Sequence, residues 1–170
     1  MDLRRRTAIP ALTIGLALAG CASPVEQPMP TPSFANAETA YAAAEATYRA
    51  YVDALNEHRA NPTSEEQPNA FLTGQALDNE VEAQAQLADL SLRVIGPSVI
   101  TSFVPVAATN AGTEVLAQVC LESSATRVID SGGSDVTPAD RESLSPLSVT
   151  LQRIGEDWAI ARSTVGEHKC

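Results

Sequence analysis

Basic residues are scarce in this chain: 11 lysines and arginines face 21 aspartates and glutamates, for a net charge of −10 over 170 residues. Residues 1–20 hold Arg4, Arg5, Arg6 and Asp2, so the remainder stands at 8 basic against 20 acidic, or −12. A surface so short of lysine and arginine is poorly suited to phosphate backbones or anionic headgroups, which excludes nucleic acid as an expected partner. Histidines number two, aromatics make up only 4%, and there is a single tryptophan, Trp158. No nucleophile elbow, phosphate loop or metal-ligand spacing occurs anywhere. No paired acid and base stands out for proton transfer, so no catalytic residue, metal or cofactor is assigned. Nor is there an apolar run of the roughly 20 residues a membrane-spanning helix needs. The longest, Ala8 to Ala19, is shorter and carries Pro10.

That run has a different use. It follows three arginines and ends in Leu18-Ala19-Gly20-Cys21, giving the basic head, short apolar middle and small-residue junction of a secretory signal. Leu-Ala-Gly-Cys resembles the lipobox of bacterial lipoprotein precursors. The resemblance implies a diacylglycerol thioether (and palmitate) on Cys21, cleavage before it, and anchoring of an exported protein at the extracytoplasmic face of the cell membrane. Arg5-Arg6 also fits a twin-arginine leader, yet no Phe-Leu pair follows, so two export routes stay open. Two acyl chains anchor stably where one is marginal. Residues 1–20 are thus a signal peptide. Residues 21–35, with Pro24, Pro28, Pro30 and Pro32, read as an extended tether reaching roughly 40 Å at about 3.1 Å per residue. Residues 36–170 form one domain.

If the lipobox resemblance assigns Cys21 to lipid, Cys120 and Cys170 remain in an oxidising compartment. Two cysteines allow one connectivity, so a Cys120–Cys170 disulfide is expected, worth about 4 kcal/mol in the chain-entropy model. Two separate buried thiols are the alternative. His168 is near Cys170 in sequence, but no second close pair of ligands accompanies them, and the tail histidine is expected to be exposed.

An alanine-rich helix is expected from Ala37 to Ala60, capped by Asn36 and stopped at Asn61-Pro62. Tyr41, Ala44, Tyr48, Tyr51, Val52 and Leu55 share its apolar stripe. His58 sits in the last turn, where a cation complements the helix C-terminus. A second helical pattern runs from Phe71 to Leu90, with Asp78, Glu80 and Glu82 read as its solvated side. β-branched runs follow: Leu92–Ile95 and Val99–Val106, split by a kink at Gly96-Pro97. Further strands run from Thr113 to Ser123 and over Arg127–Asp130, followed by a mobile acidic loop to Ser145. Leu147 to Gln152 and Trp158 to Val165 make a hairpin.

Two helices followed by a bent antiparallel sheet is an α+β pattern. With the tyrosine-bearing helix, Val119-Cys120-Leu121-Glu122, Gly132-Gly133 and Gly155-Glu156-Asp157-Trp158-Ala159-Ile160, the chain resembles the nuclear transport factor 2-like superfamily, and within it small actinobacterial lipoproteins. The resemblance implies a cone in which helices and a curved sheet enclose an apolar pocket. Pocket candidates are Tyr41, Tyr48, Tyr51, Gln118, Thr150, Gln152 and Arg162. Superfamily members include ketosteroid isomerases and polyketide cyclases as well as binding modules, so fold leaves function open. The reading favoured by the missing acid–base pair is a non-catalytic module for an envelope protein or a small apolar ligand. The alternatives are a pocket enzyme or carrier and a homodimeric scaffold.

Overall fold

The computed structural model describes residues 34–65 and 67–170. The expected signal peptide (1–20), Cys21 and the expected tether to residue 35 fall on or beside residues 1–33, which lie outside the described residues. Helix α1 (Phe34–Ala60) is followed by a 3-10 turn (Pro68–Phe71) and helix α2 (Gly74–Asp89). Six strands complete the domain: β1 (Arg93–Ile95), β2 (Val99–Thr109), β3 (Glu114–Glu122), β4 (Arg127–Ile129), β5 (Leu144–Ile154) and β6 (Asp157–Val165). The expected α+β architecture is present, two helices against antiparallel sheet.

α1 begins at Phe34, so Asn36 lies within the helix and is not its cap. α2 starts later than its hydrophobic pattern suggests. Leu72 is drawn into a bridge with Ile160, and the Thr73 amide donates to the Ile160 carbonyl at 2.9 Å. Backbone bonded to β6 is not available for a helical turn, and α2 forms only from Gly74.

The main sheet runs β2-β3-β5-β6, and β1 pairs with β4 in a separate ribbon. The kink at Gly96-Pro97 therefore divides one long strand between two sheets. Gly96 has φ +83°, and a Cβ there would land on the Ala125 carbonyl, so this bend requires glycine. Ser98, just beyond the bend, is 3% exposed and has no ladder partner. Asn56 on α1 replaces the ladder: its Nδ2 donates to the Ser98 carbonyl and its Oδ1 accepts from the Ser98 amide, both at 2.8 Å. An unmade backbone bond at a buried site is costly, and one amide side chain satisfies both groups.

Val115, Ala117, Val119, Val149, Leu151 and Ile160 line the inner sheet face and pack on Ala40, Ala44, Tyr48 and Val52 of α1. Trp158 is half-buried beside Thr39, Ala40 and Ala43 at the core's end. The acidic loop before β5 is tied down. Arg141 Nη1 donates to Thr126 Oγ1 at 2.8 Å and Ser123 Oγ at 3.1 Å, and Nη2 to the Ser123 and Thr126 carbonyls. Five donors on one guanidinium make that multiple tie possible.

The tail crosses the outer sheet face. Cys120 pairs in register with Pro146 on that face, and Cys170 is bonded to it as a disulfide, with Cα atoms 5.6 Å apart. The Gly166 amide donates to the Pro146 carbonyl at 2.8 Å. His168 is not exposed as expected: its Nε2 lies 3.3 Å from the Val119 carbonyl and its Nδ1 is shielded from solvent.

Candidate functional site

α2 packs on β6 rather than along α1. The consequence is space between the two helices, in two adjoining hollows. The inner one, about 210 Å³, lies between the helices and the sheet and is lined by Tyr48, Tyr51, Leu72, Leu121, Ile160 and Ser163 among others. The outer one, about 460 Å³, is bounded by the end of α1, the exposed half of α2 and β1. Leu55 and Glu80 line both.

Tyr48 and Tyr51 take the place that the helical stripe gave them. Tyr48 is 2% exposed, and its ring centroid is 6.0 Å from Tyr51 and 5.9 Å from Phe103. Burial pushes the Tyr48 hydroxyl well above its ordinary range, with the Tyr51 charge adding to it. Burial, and then the negative charge of Glu80, pushes Tyr51 up to about 12, with Arg59 opposing. Both phenols are therefore neutral donors throughout the physiological range. Tyr41 packs against the core but lines neither hollow.

The remaining candidates point outward. Gln118, Gln152 and Arg162 are exposed, and Thr150, partly covered, pairs with Leu116 and Arg162 on the outer face. For Gln118, Thr150 and Gln152 the reason is the period of two: the inner positions belong to Ala117, Val119, Val149 and Leu151. Gln152 Nε2 donates instead to Glu114 Oε2 at 3.0 Å. Arg162 is turned out by a bulge. Ile160 pairs with Leu151 while Arg162 pairs with the adjacent Thr150, so Ala161 is an extra residue and the alternation reverses across it.

The outer hollow holds groups that no sequence pattern brought together. His58 and Arg59 come from the last turn of α1, Glu80 and Leu87 from α2, and Leu92 and Arg93 from β1 and its approach. Glu80 is thus not on a purely solvated side. Arg59 Nη1 donates to Ser98 Oγ at 2.9 Å. Burial lowers the Arg59 guanidinium from its ordinary range; Tyr51 and Glu80 oppose this, and Arg141 adds like charge. Ion pairs among the described residues join Arg49 to Glu45 and Arg127 to Asp135; Arg59 and Arg93 belong to neither. His58 Nδ1 is shielded and, among the described residues, without a hydrogen-bond partner.

Among the described residues, Cys120, His168 and Cys170 bring metal-ligating atoms within 4.8 Å of one another, but the two sulfurs are bonded to each other. A disulfide offers no thiolate to a metal. Among the same residues no helix is long and apolar enough to cross a membrane.

No family model and no curated protein matches the chain. Solved structures do. The intermembrane space region of chloroplast protein ARC6 aligns with 76% of this chain and 95% of its own, at 16% identity and TM-score 0.54. A putative polyketide cyclase from Xanthomonas campestris pv. campestris gives 17% identity over 76% and 90% of the two chains, with TM-score 0.38. One from Pseudomonas putida KT2440 gives 14% over 72% and 89%, with TM-score 0.37. At 16% identity the likeness to the ARC6 region is one of fold alone.

Proposed function

We propose that this chain is an exported lipoprotein, held at the extracytoplasmic face of the membrane by lipid on Cys21, whose domain binds a small apolar ligand without transforming it. The observation that carries the binding half is the open outer hollow. Its volume of about 460 Å³ lies within the roughly 300–1,000 Å³ of ligand pockets, and its walls include Leu55, Ala83, Leu87 and Leu92. Among the described residues neither histidine is hydrogen-bonded to a carboxylate, which supports binding over acid–base catalysis. The Leu18-Ala19-Gly20-Cys21 motif supports the anchor.

Two measurements test the two halves. Cys21→Ala is expected to move the protein from the membrane fraction to the soluble exported fraction, with loss of the acyl mass. If the variant still needs detergent for extraction, the anchor is refuted. For the hollow, a neutral apolar dye such as Nile red is expected to bind one-to-one, and Ala83→Trp, which fills the space from α2, to reduce that binding at least tenfold. Equal dye binding by a folded Ala83→Trp variant would remove the hollow as the site.

A further inference from the structure

We infer that the outer hollow takes an amphiphilic anion: an apolar chain ending in a carboxylate or phosphate, its head between Arg59 and Arg93. This rests on the binding reading above and adds the chemical class of the ligand.

The chain is strongly acidic, yet two arginines and a histidine converge on this one hollow from α1 and β1. Arg59 is partly desolvated and directs one bond to a neutral hydroxyl, and among the described residues no carboxylate lies within ion-pair distance of it. Its charged neighbours include a second cation, Arg141, itself engaged with Ser123 and Thr126. Glu80 attracts Arg59 only from a distance and Arg141 adds like charge, so a guanidinium partly removed from water is left without a directly paired counter-charge, which is destabilising. An anion in the hollow relieves both. His58 lines the same wall, and among the described residues its buried Nδ1 has no hydrogen-bond partner. The α1 C-terminus contributes about half a negative charge, which two arginines outweigh.

Glu80 is the opposing charge. It lies across on α2, where Gln84 Nε2 donates to it at 2.9 Å, and it marks the junction with the tyrosine recess. It disfavours an anion on the α2 side and leaves that side to the apolar chain, along Ala83 and Leu87. A neutral apolar ligand would fit the walls but leave Arg59 as it is. A cationic amphiphile would meet two arginines.

Calorimetric titration of the full chain with decanoate, decanol and decyltrimethylammonium, each below its micelle concentration, tests the assignment. Decanoate is expected to bind at least tenfold more tightly than decyltrimethylammonium. Arg59→Gln is expected to weaken decanoate at least tenfold and Arg93→Gln at least threefold, with decanol unchanged in both. Arg93 is exposed on its strand, so Arg93→Gln keeps the test valid if Arg59→Gln fails to fold. Equal binding of decanoate and decyltrimethylammonium, or a folded variant unchanged toward decanoate, overturns the anion assignment. Decanol binding without a decanoate preference overturns it too, while leaving the binding reading intact; no binding by any of the three removes both. A parallel titration with monomeric dihexanoyl phosphatidylglycerol separates a lipid source from a free acid, and tighter binding of either upholds the class.

Discussion

Replacing both Cys120 and Cys170 with serine is expected to lower the stability of the domain by about 4 kcal/mol. The bridge joins residues 50 apart in sequence. In the reduced, unfolded chain that loop is free, so the loss comes mainly from added entropy in the unfolded state. The native tail has other ties, the Gly166–Pro146 backbone bond and the His168 ring beside the Val119 carbonyl. These close the structure locally but do not restrict the unfolded chain, so they do not replace the bridge. The double variant is the right one to use, because a single serine would leave one free thiol open to oxidation or to pairing between molecules. Urea unfolding of the two proteins, with and without a phosphine reductant, measures the difference. A change below about 1 kcal/mol would mean that the bridge does not constrain the unfolded chain.

Tyr48→Ala is expected to cost about 3–5 kcal/mol, the range for deleting a buried aromatic. The side chain is 2% exposed and joins α1 to the sheet through Phe103 and the inner face. Each aromatic contact is worth about 0.5–1.5 kcal/mol beyond area, so losing those with Tyr51 and Phe103 places the effect in the upper half of the range. Tyr48→Phe retains the ring and the packing, and its loss should stay below about 1.5 kcal/mol. The contrast separates packing from the hydroxyl. Thermal or urea unfolding of the two variants reads it directly, and equal losses would assign the role to the hydroxyl. Deleting the ring also opens the inner recess, now about 210 Å³ and smaller than ordinary ligand pockets.

Much of this was legible along the chain. The tyrosine stripe of α1 follows from a period of 3.6, and Tyr48 and Tyr51 lie where it points. The inner face of β3 and β5 follows from a period of two. The same period puts Gln118, Thr150 and Gln152 on the outer face, against the expectation that they line the pocket. Where local geometry departs from its period, the reading fails. The bulge at Ala161 has no sequence mark, and it reverses Arg162. The backbone bonds between Thr73 and Ile160 delay α2, and they exist only because β6, nearly ninety positions along, lies beside that segment.

The sequence by itself determined the class of fold, the stripe that carries the tyrosines, and the motif at Cys21 from which export is proposed. Each is a local pattern, readable within one element or one short segment. Only the tertiary structure decided that His58, Arg59, Glu80 and Arg93 share a hollow. They come from three elements and from no common motif. What joins them is the packing of α2 on β6 and the Gly96 bend that turns β1 out of the main sheet. Convergence of charge across elements is a property of packing, and no periodicity encodes it.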